Sequence, residues 1–443
     1  MTAQPDPQSA AAETTNNFAW LPVARGLFLL VVLSNVLLAG WPDSQDLNIF
    51  PDSKAYIDWP NEDWISTEPF EPGGSLYVMG QRPPTYPLLL KLVGAERSLF
   101  PIQFVISFLA WTFLGWCTAR EPGVLVGAVF SMFPAVWLWN GAVLSESLSL
   151  SLMAVAIAAT LLLLRAWSWS RFGFWALAMA AYGLTRDINL YALPFLAVPA
   201  LRALGWRGGL VAVTAGLLFA FGTWSAKKHD RGMWPLMNAM QERILTNEDY
   251  RAEMVGKGMP DNPQLTRFPN RRAIPLVLGY ERHAPEYLEW IRAEGMLAYG
   301  SWLLRHPRTF SEAKGELMSR VRFDPQHYSN GIIAPSVVAG AKPFYDFVLP
   351  WYLWCLLVLI PLAEFGVSGK PSPLGLLTAA LVLLTYTQAY LCFFGDGIEH
   401  DRHMLPAFVL YRLTTALGVA ATAKMFYRAC KAWTRRRRGT STA

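Results

Sequence analysis

The chain has 443 residues, 53% of them hydrophobic and only 16% charged, with a formal net charge of +6. A water-soluble protein carries about 25% charged residues, and here the apolar residues stand in blocks, so a soluble enzyme, a disordered chain and a collagen-like repeat are excluded. The composition is that of a polytopic membrane protein, and a mean hydropathy of +0.25 leaves room for substantial polar segments between spans.

A helix needs roughly 20 mostly apolar residues to cross the hydrocarbon layer. Stretches of this kind are centred near Val31, Leu109, Val129, Met153, Met179, Leu196, Gly216, Leu357, Leu383 and Leu413. The predicted fold is therefore an all-α polytopic membrane protein with about ten transmembrane helices. The stretches at Val129, Met179 and Leu196 are short or interrupted by proline. The residues before Phe28 lack a compact cationic segment and a small-residue cleavage site, so the first span reads as a retained anchor.

After the first span comes a polar, acidic segment holding Asp43, Asp46, Asp52, Asp58, Glu62, Asp63, Glu68 and Glu71. It ends in Gln81-Arg82-Pro83-Pro84-Thr85-Tyr86-Pro87 before the apolar run Leu88 to Val93. The prolines argue against a regular helix there. The apolar run is too short to span, so a helix lying in the interface is expected after Pro87. A second large polar segment, residues 226–344, carries a helical pattern over 238–256. It also carries an apolar stripe, Leu288, Ile291, Gly295, Ala298 and Trp302, which predicts a second interfacial or packed helix ending at Arg305-His306-Pro307. The chain thus divides into a transmembrane module (1–225), a helical cap (226–344) and a second transmembrane module with a basic tail (345–443).

Charge gives the sidedness. Arg120, Arg165, Arg171, Arg202, Arg207 and Lys370 fall in the short loops on one side, with the tail cations Lys424, Arg428, Lys431 and Arg435 to Arg438. The acids gather on the other side. By the positive-inside rule the termini are cytoplasmic and both polar segments external. The basic tail reads as an anchor on anionic lipid and not as a nucleic-acid surface. Cys117, Cys355, Cys392 and Cys430 form no CxxC pair, which points away from a disulfide framework or a thiolate metal site. The cytoplasmic loops are too short for a nucleotide-using domain, and no Gly-rich phosphate loop is present. Any chemistry is therefore external, on a substrate already activated and delivered through the bilayer.

The candidate reactive groups lie at external span ends. Asp52 could serve as a general base, or be one solvated acid among many. Glu146, between serines at the start of the fourth span, is an ionisable group close to hydrocarbon, or a carboxylate favoured by a helix N-terminus. Arg186-Asp187 joins the fifth and sixth spans, as a local ion pair or with Arg186 free to bind phosphate through its guanidinium fork. Arg82 and Arg402 invite the same phosphate argument. The last external turn, Asp396 to Pro406, includes His400 and His403. Its oxygen and imidazole groups could hold a divalent cation, but the spacing fits no defined metal motif and a hydrated turn with internal salt bridges accounts for them better.

Taken in order, the Asp52 to Tyr56 segment, Arg82-Pro83-Pro84-Thr85-Tyr86-Pro87, Ser145-Glu146 opening a span and Asp401-Arg402-His403-Met404-Leu405-Pro406 opening the last one resemble the GT-C glycosyltransferases. The likeness is to the bacterial polyprenyl-phosphate-sugar-dependent enzymes related to protein O-mannosyltransferases and lipid A sugar transferases. It covers roughly the first two hundred residues and the last sixty. The resemblance implies an inverting transfer of a sugar from a polyprenyl-phosphate donor to a glycan, glycolipid or protein acceptor on the external face of a bacterial inner membrane. Asp52 would be the catalytic base, and Arg82, Arg402 and Arg186 would neutralise the departing phosphate. Glu146, Asp187, Tyr56, His306 and His403 would be the candidates for meeting the acceptor or a metal. A divalent cation (Mg or Mn) is compatible with the family but not required by the sequence, and the donor sugar, the acceptor and the oligomeric state stay open. A transporter or flippase of lipid-linked glycan would instead need charged or broken helices near the midplane, and a glycan polymerase or ligase of a different fold would use loop arginines.

Overall fold

The computed structural model describes residues 26, 30, 53–57, 82–95, 98–228, 230–263, 265, 284–311, 350–395 and 400–440. Among these residues every regular element is a helix. Six helices are long and apolar enough to cross a membrane. Glycine and alanine rather than bulk bring several of them together, because between helices in lipid there is no water to expel and close van der Waals approach supplies the attraction.

Short helix α1 (Lys54–Ile57) and helix α2 (Thr85–Val93) precede the bundle. The prolines do not prevent α2. Pro83 and Pro84 stand before it, and Pro87 falls in its first turn, where a missing N–H removes no intrahelical bond. Leu92 of α2 is 83% exposed.

α3 (Leu99–Ser131) is a hairpin of two limbs, with non-helical backbone at Ala119 and Arg120. A Cβ on Gly115 would run into the Gly123 carbonyl, and one on Gly127 into that of Trp111. The limbs therefore touch backbone to backbone, and the stretches expected at Leu109 and Val129 are folded against each other. Trp111 stacks on Phe130 across the hairpin at 5.4 Å between ring centroids. Arg120 makes the turn at φ 56°, ψ −132°, a conformation that suits glycine.

The second limb is prolonged by helical turns at Pro134–Trp137 and Leu138–Gly141. α4 (Ser145–Arg165) then runs through the centre of the bundle, its apolar window 83% buried. α5 (Trp169–Gly183), α6 (Ala192–Ala203) and α7 (Trp206–Lys228) follow. α5 and α6 are too short to count among the six, as their sequence suggested. α12 (Trp351–Ser368), α13 (Pro373–Gly395) and α14 (His400–Thr440) follow after the second polar segment, and the span expected around Val31 lies outside the described residues. At 41 residues, α14 is about 60 Å long, about twice the hydrocarbon thickness.

The described residues between α7 and α12 hold a second core. α8 (Met233–Arg243) and α9 (Glu248–Val255) replace the single helix expected over 238–256. The break has a local cause: the Asn247 side chain accepts from the amides of Asp249 and Tyr250 and caps α9, competing with continuation of the helix. α10 (Pro285–Trp290), a π-turn (Ile291–Gly295) and α11 (Met296–Arg305) form the other predicted helix. Leu288, Ile291, Ala298 and Trp302 of its stripe are buried together with Met240, Met254 and Tyr287. This core is fastened to the end of α13: Arg243 Nη2 donates to the Phe393 carbonyl at 2.8 Å, and Tyr299 Oη to that of Phe394 at 2.9 Å. Burial holds the Tyr299 phenol above its ordinary pKa.

Of the cations assigned to one side, Arg120, Arg165, Arg171 and Arg207 gather at one end of the bundle. Arg165 Nη2 donates to the Thr118 carbonyl and Arg171 Nη1 to that of Ala166. Arg207 lies over Trp167, and Arg120 over Trp116. Trp169 and Trp206, 66% and 71% exposed, mark the same end, where aromatic rings favour the membrane–water boundary. No disulfide joins any of the cysteines.

Candidate functional site

The opposite end of the bundle holds a buried polar centre. It begins where the starts of α4 and α14, the α5–α6 junction and the α1 and α2 segments converge.

The start of α4 carries serine at every second position, Ser145, Ser147, Ser149 and Ser151, all buried. Ser151 donates back to the Ser147 carbonyl within the helix, and the other three reach neighbouring elements. Ser145 Oγ shares a 3.0 Å hydrogen bond with Tyr56 Oη, Ser147 donates to Asn140 Oδ1 at 2.6 Å, and Ser149 exchanges bonds with Asn189. Gln103 of α3 donates to the carbonyls of Asn140 and Ala142. This buried network fixes the level at which Glu146 sits.

Glu146 is fully buried, and its Oε1 lies 3.3 Å from Nη1 of Arg186, itself only 11% exposed. Nη2 of Arg186 is 3.4 Å from His403 Nδ1. A guanidinium only donates, so Nδ1 must accept and the His403 ring proton belongs on Nε2. Asp187 does not pair with Arg186. Its carboxylate takes both arms of Arg231, with Nε to Oδ2 at 2.9 Å and Nη2 to Oδ1 at 3.0 Å, and Arg231 also reaches Ser225. The local Arg186-Asp187 pair expected from sequence is thus replaced by two long-range pairs. Extended backbone at Arg186 (φ −150°, ψ 141°) leading into a helical turn at Asp187 separates the adjacent side chains.

The other arm of the centre comes from the first polar segment. The guanidinium of Arg82 lies 5.0 Å over the Tyr56 ring, and Tyr56 meets Tyr86 edge to face at 5.1 Å. Thr85 ties this segment to the end of α5, through its amide to the Leu184 carbonyl and its hydroxyl to that of Ala181, both at 3.2 Å. Burial, with the nearby Tyr56 and Glu146, drives the Tyr86 phenol well above its ordinary pKa. Tyr56, Arg82, Glu146, Arg186 and His403 are therefore linked by contacts into one site.

No family model and no curated protein matches the chain.

Asp52 lies outside the described residues, next to fully buried Ser53. Of Arg402 the backbone is described, in the first turn of α14, and the side chain is not. The second half of the expected turn over Asp396 to Pro406 is helix from His400 onward. His306 belongs to a separate cluster. Its Nε2 is 3.3 Å from Glu253 Oε2 and its Nδ1 3.1 Å from the Trp302 carbonyl, while Glu253 Oε1 takes Lys257 and Arg305. Both ring nitrogens of His306 lie near oxygen atoms of this cluster. Among the described residues no group of three or more His, Cys, Asp or Glu side chains is placed to hold a metal. The candidate carboxylates Glu146 and Asp187 already face guanidinium charge.

Sequence reasoning missed Arg231, the Gln103–Asn140–Asn189 network and Arg412. Arg412 corrects the expectation that notable charges gather only at span ends. It is buried in α14, nine positions beyond His403, or about 14 Å along the axis. Its guanidinium lies 3.5 Å over the Phe408 ring. The signal was present as one cation inside an otherwise apolar run.

Proposed function

We propose that the protein is an inverting, polyprenyl-phosphate-sugar-dependent glycosyltransferase acting at the end of the bundle that holds Glu146, Arg186 and His403. The observation that carries this reading is the convergence, on one buried centre, of the first polar segment (Tyr56, Arg82), the start of α4 (Ser145, Glu146), the α5–α6 junction (Arg186) and the start of the last span (His403). The ten-span topology, a periplasmic site and cytoplasmic termini are part of the proposal.

In this mechanism Asp52 accepts the proton of the acceptor hydroxyl as that oxygen attacks the anomeric carbon. The bond to the lipid phosphate breaks on the opposite face, and the stereochemistry inverts. Arg82 and Arg186, with Arg402, stabilise charge developing on the departing phosphate. Fixed donors in a site sheltered from water do this at little reorganisation cost. Glu146 holds the Arg186 fork in place, and neutral His403 accepts one of its N–H groups. The acceptor is a glycan, glycolipid or protein, and no nucleic acid takes part.

The experiment is transfer by the reconstituted full chain from synthetic polyprenyl-phosphate sugars, read by mass spectrometry of donor and product. Asp52→Asn should insert normally and transfer nothing, while Asp58→Asn should remain active. Full transfer by Asp52→Asn refutes the mechanism. One observation favours a second reading, a flippase of lipid-linked glycan: the buried Arg412 inside α14 is the kind of charge a translocation pathway needs. Movement of a labelled lipid-linked sugar across liposomes without covalent product, lost in Arg412→Gln, would select it.

A further inference from the structure

At the basic end, away from the candidate site, the two limbs of α3 and one face of α14 enclose an apolar groove of 150 Å³. Trp111, Leu114, Phe130, Leu413 and Leu417 wall it, and it reaches the surface at Val126, which is 51% exposed. Apolar cavities of this size stay dry and accept an apolar guest.

The groove leads directly into a group of cations. On α14, Leu413, Ala416, Leu417 and Ala420 line it, and Lys424 and then Arg428 follow on the same face, each about 6 Å further on. On the other side Arg165 donates to the carbonyl of Thr118, a groove residue, and Arg120 follows Ala119 at the hairpin tip. These cations crowd one another: Arg165 feels Arg120, and Lys424 feels Arg165 and Arg428. The carboxylate acting on Lys424 is Glu364. Its oxygens already accept from the Ser372 amide and hydroxyl, both at 2.6 Å, which caps α13. Glu121 at the hairpin tip is exposed. An apolar slot with an excess of positive charge at its mouth is complementary to an anion carrying a hydrocarbon chain, and the bilayer supplies one at that level.

We infer that this groove is a binding site for an anionic glycerophospholipid, one acyl chain lying between α3 and α14 and the phosphate held by Arg165, Lys424 and Arg428. The inference is independent of the proposed catalytic reading.

The test is native mass spectrometry of the full-length protein released from micelles. The lipids are phosphatidylglycerol and phosphatidylcholine with identical chains, each added in turn and then in competition. Phosphatidylglycerol should be retained at least about tenfold better, since each cation near a membrane surface favours an anionic lipid and two or three act together here. Lys424→Gln/Arg428→Gln, at exposed positions, should erase that preference. Ala420→Phe should fill the groove and remove retention of both lipids, and if it does not fold, the charge variant alone decides. Equal retention of the two lipids, or a preference that survives Lys424→Gln/Arg428→Gln, overturns the inference. So does displacement of the phospholipid by a polyprenyl phosphate at equal concentration, or a dimer across this face that phosphatidylglycerol does not dissociate.

Discussion

Replacing Glu146 with glutamine preserves the side chain's shape while removing the negative partner of Arg186. The carboxylate is fully buried, the guanidinium 11% exposed, and they lie 3.3 Å apart. Breaking such a pair from one side costs about 3–5 kcal/mol, because a buried charge is left without compensation. The lower end applies here, since the glutamine oxygen still accepts and His403 still takes one N–H, so we expect a loss of about 3 kcal/mol. Arg186→Met should cost a similar amount by removing the cation 3.3 Å from the buried carboxylate. Glu146→Gln/Arg186→Met removes both charges and should lose far less than the sum. The assay is reversible denaturation in mixed micelles, followed by tryptophan fluorescence, for the wild type, both single variants and the double variant. If the two losses add within about 0.5 kcal/mol, the residues do not interact and the centre is wrongly drawn. Transfer activity adds a second axis: the double variant should recover stability without recovering transfer.

Arg231→Lys keeps the charge but loses the two-armed grip on Asp187; with Asp187 partly solvated the expected cost is about 1 kcal/mol, read in the same micelle assay. Arg120→Gly relieves the hairpin turn of a conformation unfavourable to a side chain and should stabilise by about 1 kcal/mol, whereas Gly123→Val drives a side chain into the facing limb and should abolish recovery of folded protein from detergent extracts. The Tyr86 phenol titrates higher folded than unfolded. The stability it contributes is therefore complete below about pH 10 and lost as the pH rises through the folded value. Tyr86→Phe should flatten the alkaline side of the stability profile, and an unchanged profile would count against its burial.

Much of the membrane architecture could be read from hydropathy and charge. The apolar blocks from Leu109 onward became helices, while the one around Val31 lies outside the described residues, and Arg120, Arg165, Arg171 and Arg207 meet at one end. The stripe from Leu288 to Trp302 also formed the buried face of α10 and α11, since helical periodicity survives in a short segment. What sequence could not supply were the partners. Arg186 and Asp187 are adjacent yet point to different neighbours, Glu146 and Arg231, 40 and 44 positions away. Neighbouring residues do not face each other along a chain, and only the tertiary fold decides which distant group each one meets. The hairpin in α3 was legible only in part: its glycines permitted close approach, but nothing local says that residues 111 and 127 touch. The serines of α4 look like an ordinary polar helix start until Tyr56, Asn140 and Asn189 are brought against them.

The contact between Arg186 and His403 spans 217 positions. During biosynthesis the ion pair of Glu146 with Arg186 can form while later segments are still being made, but the ring nitrogen that completes it arrives only with α14. The centre therefore cannot close until α14 has been made and packed against the α5–α6 junction.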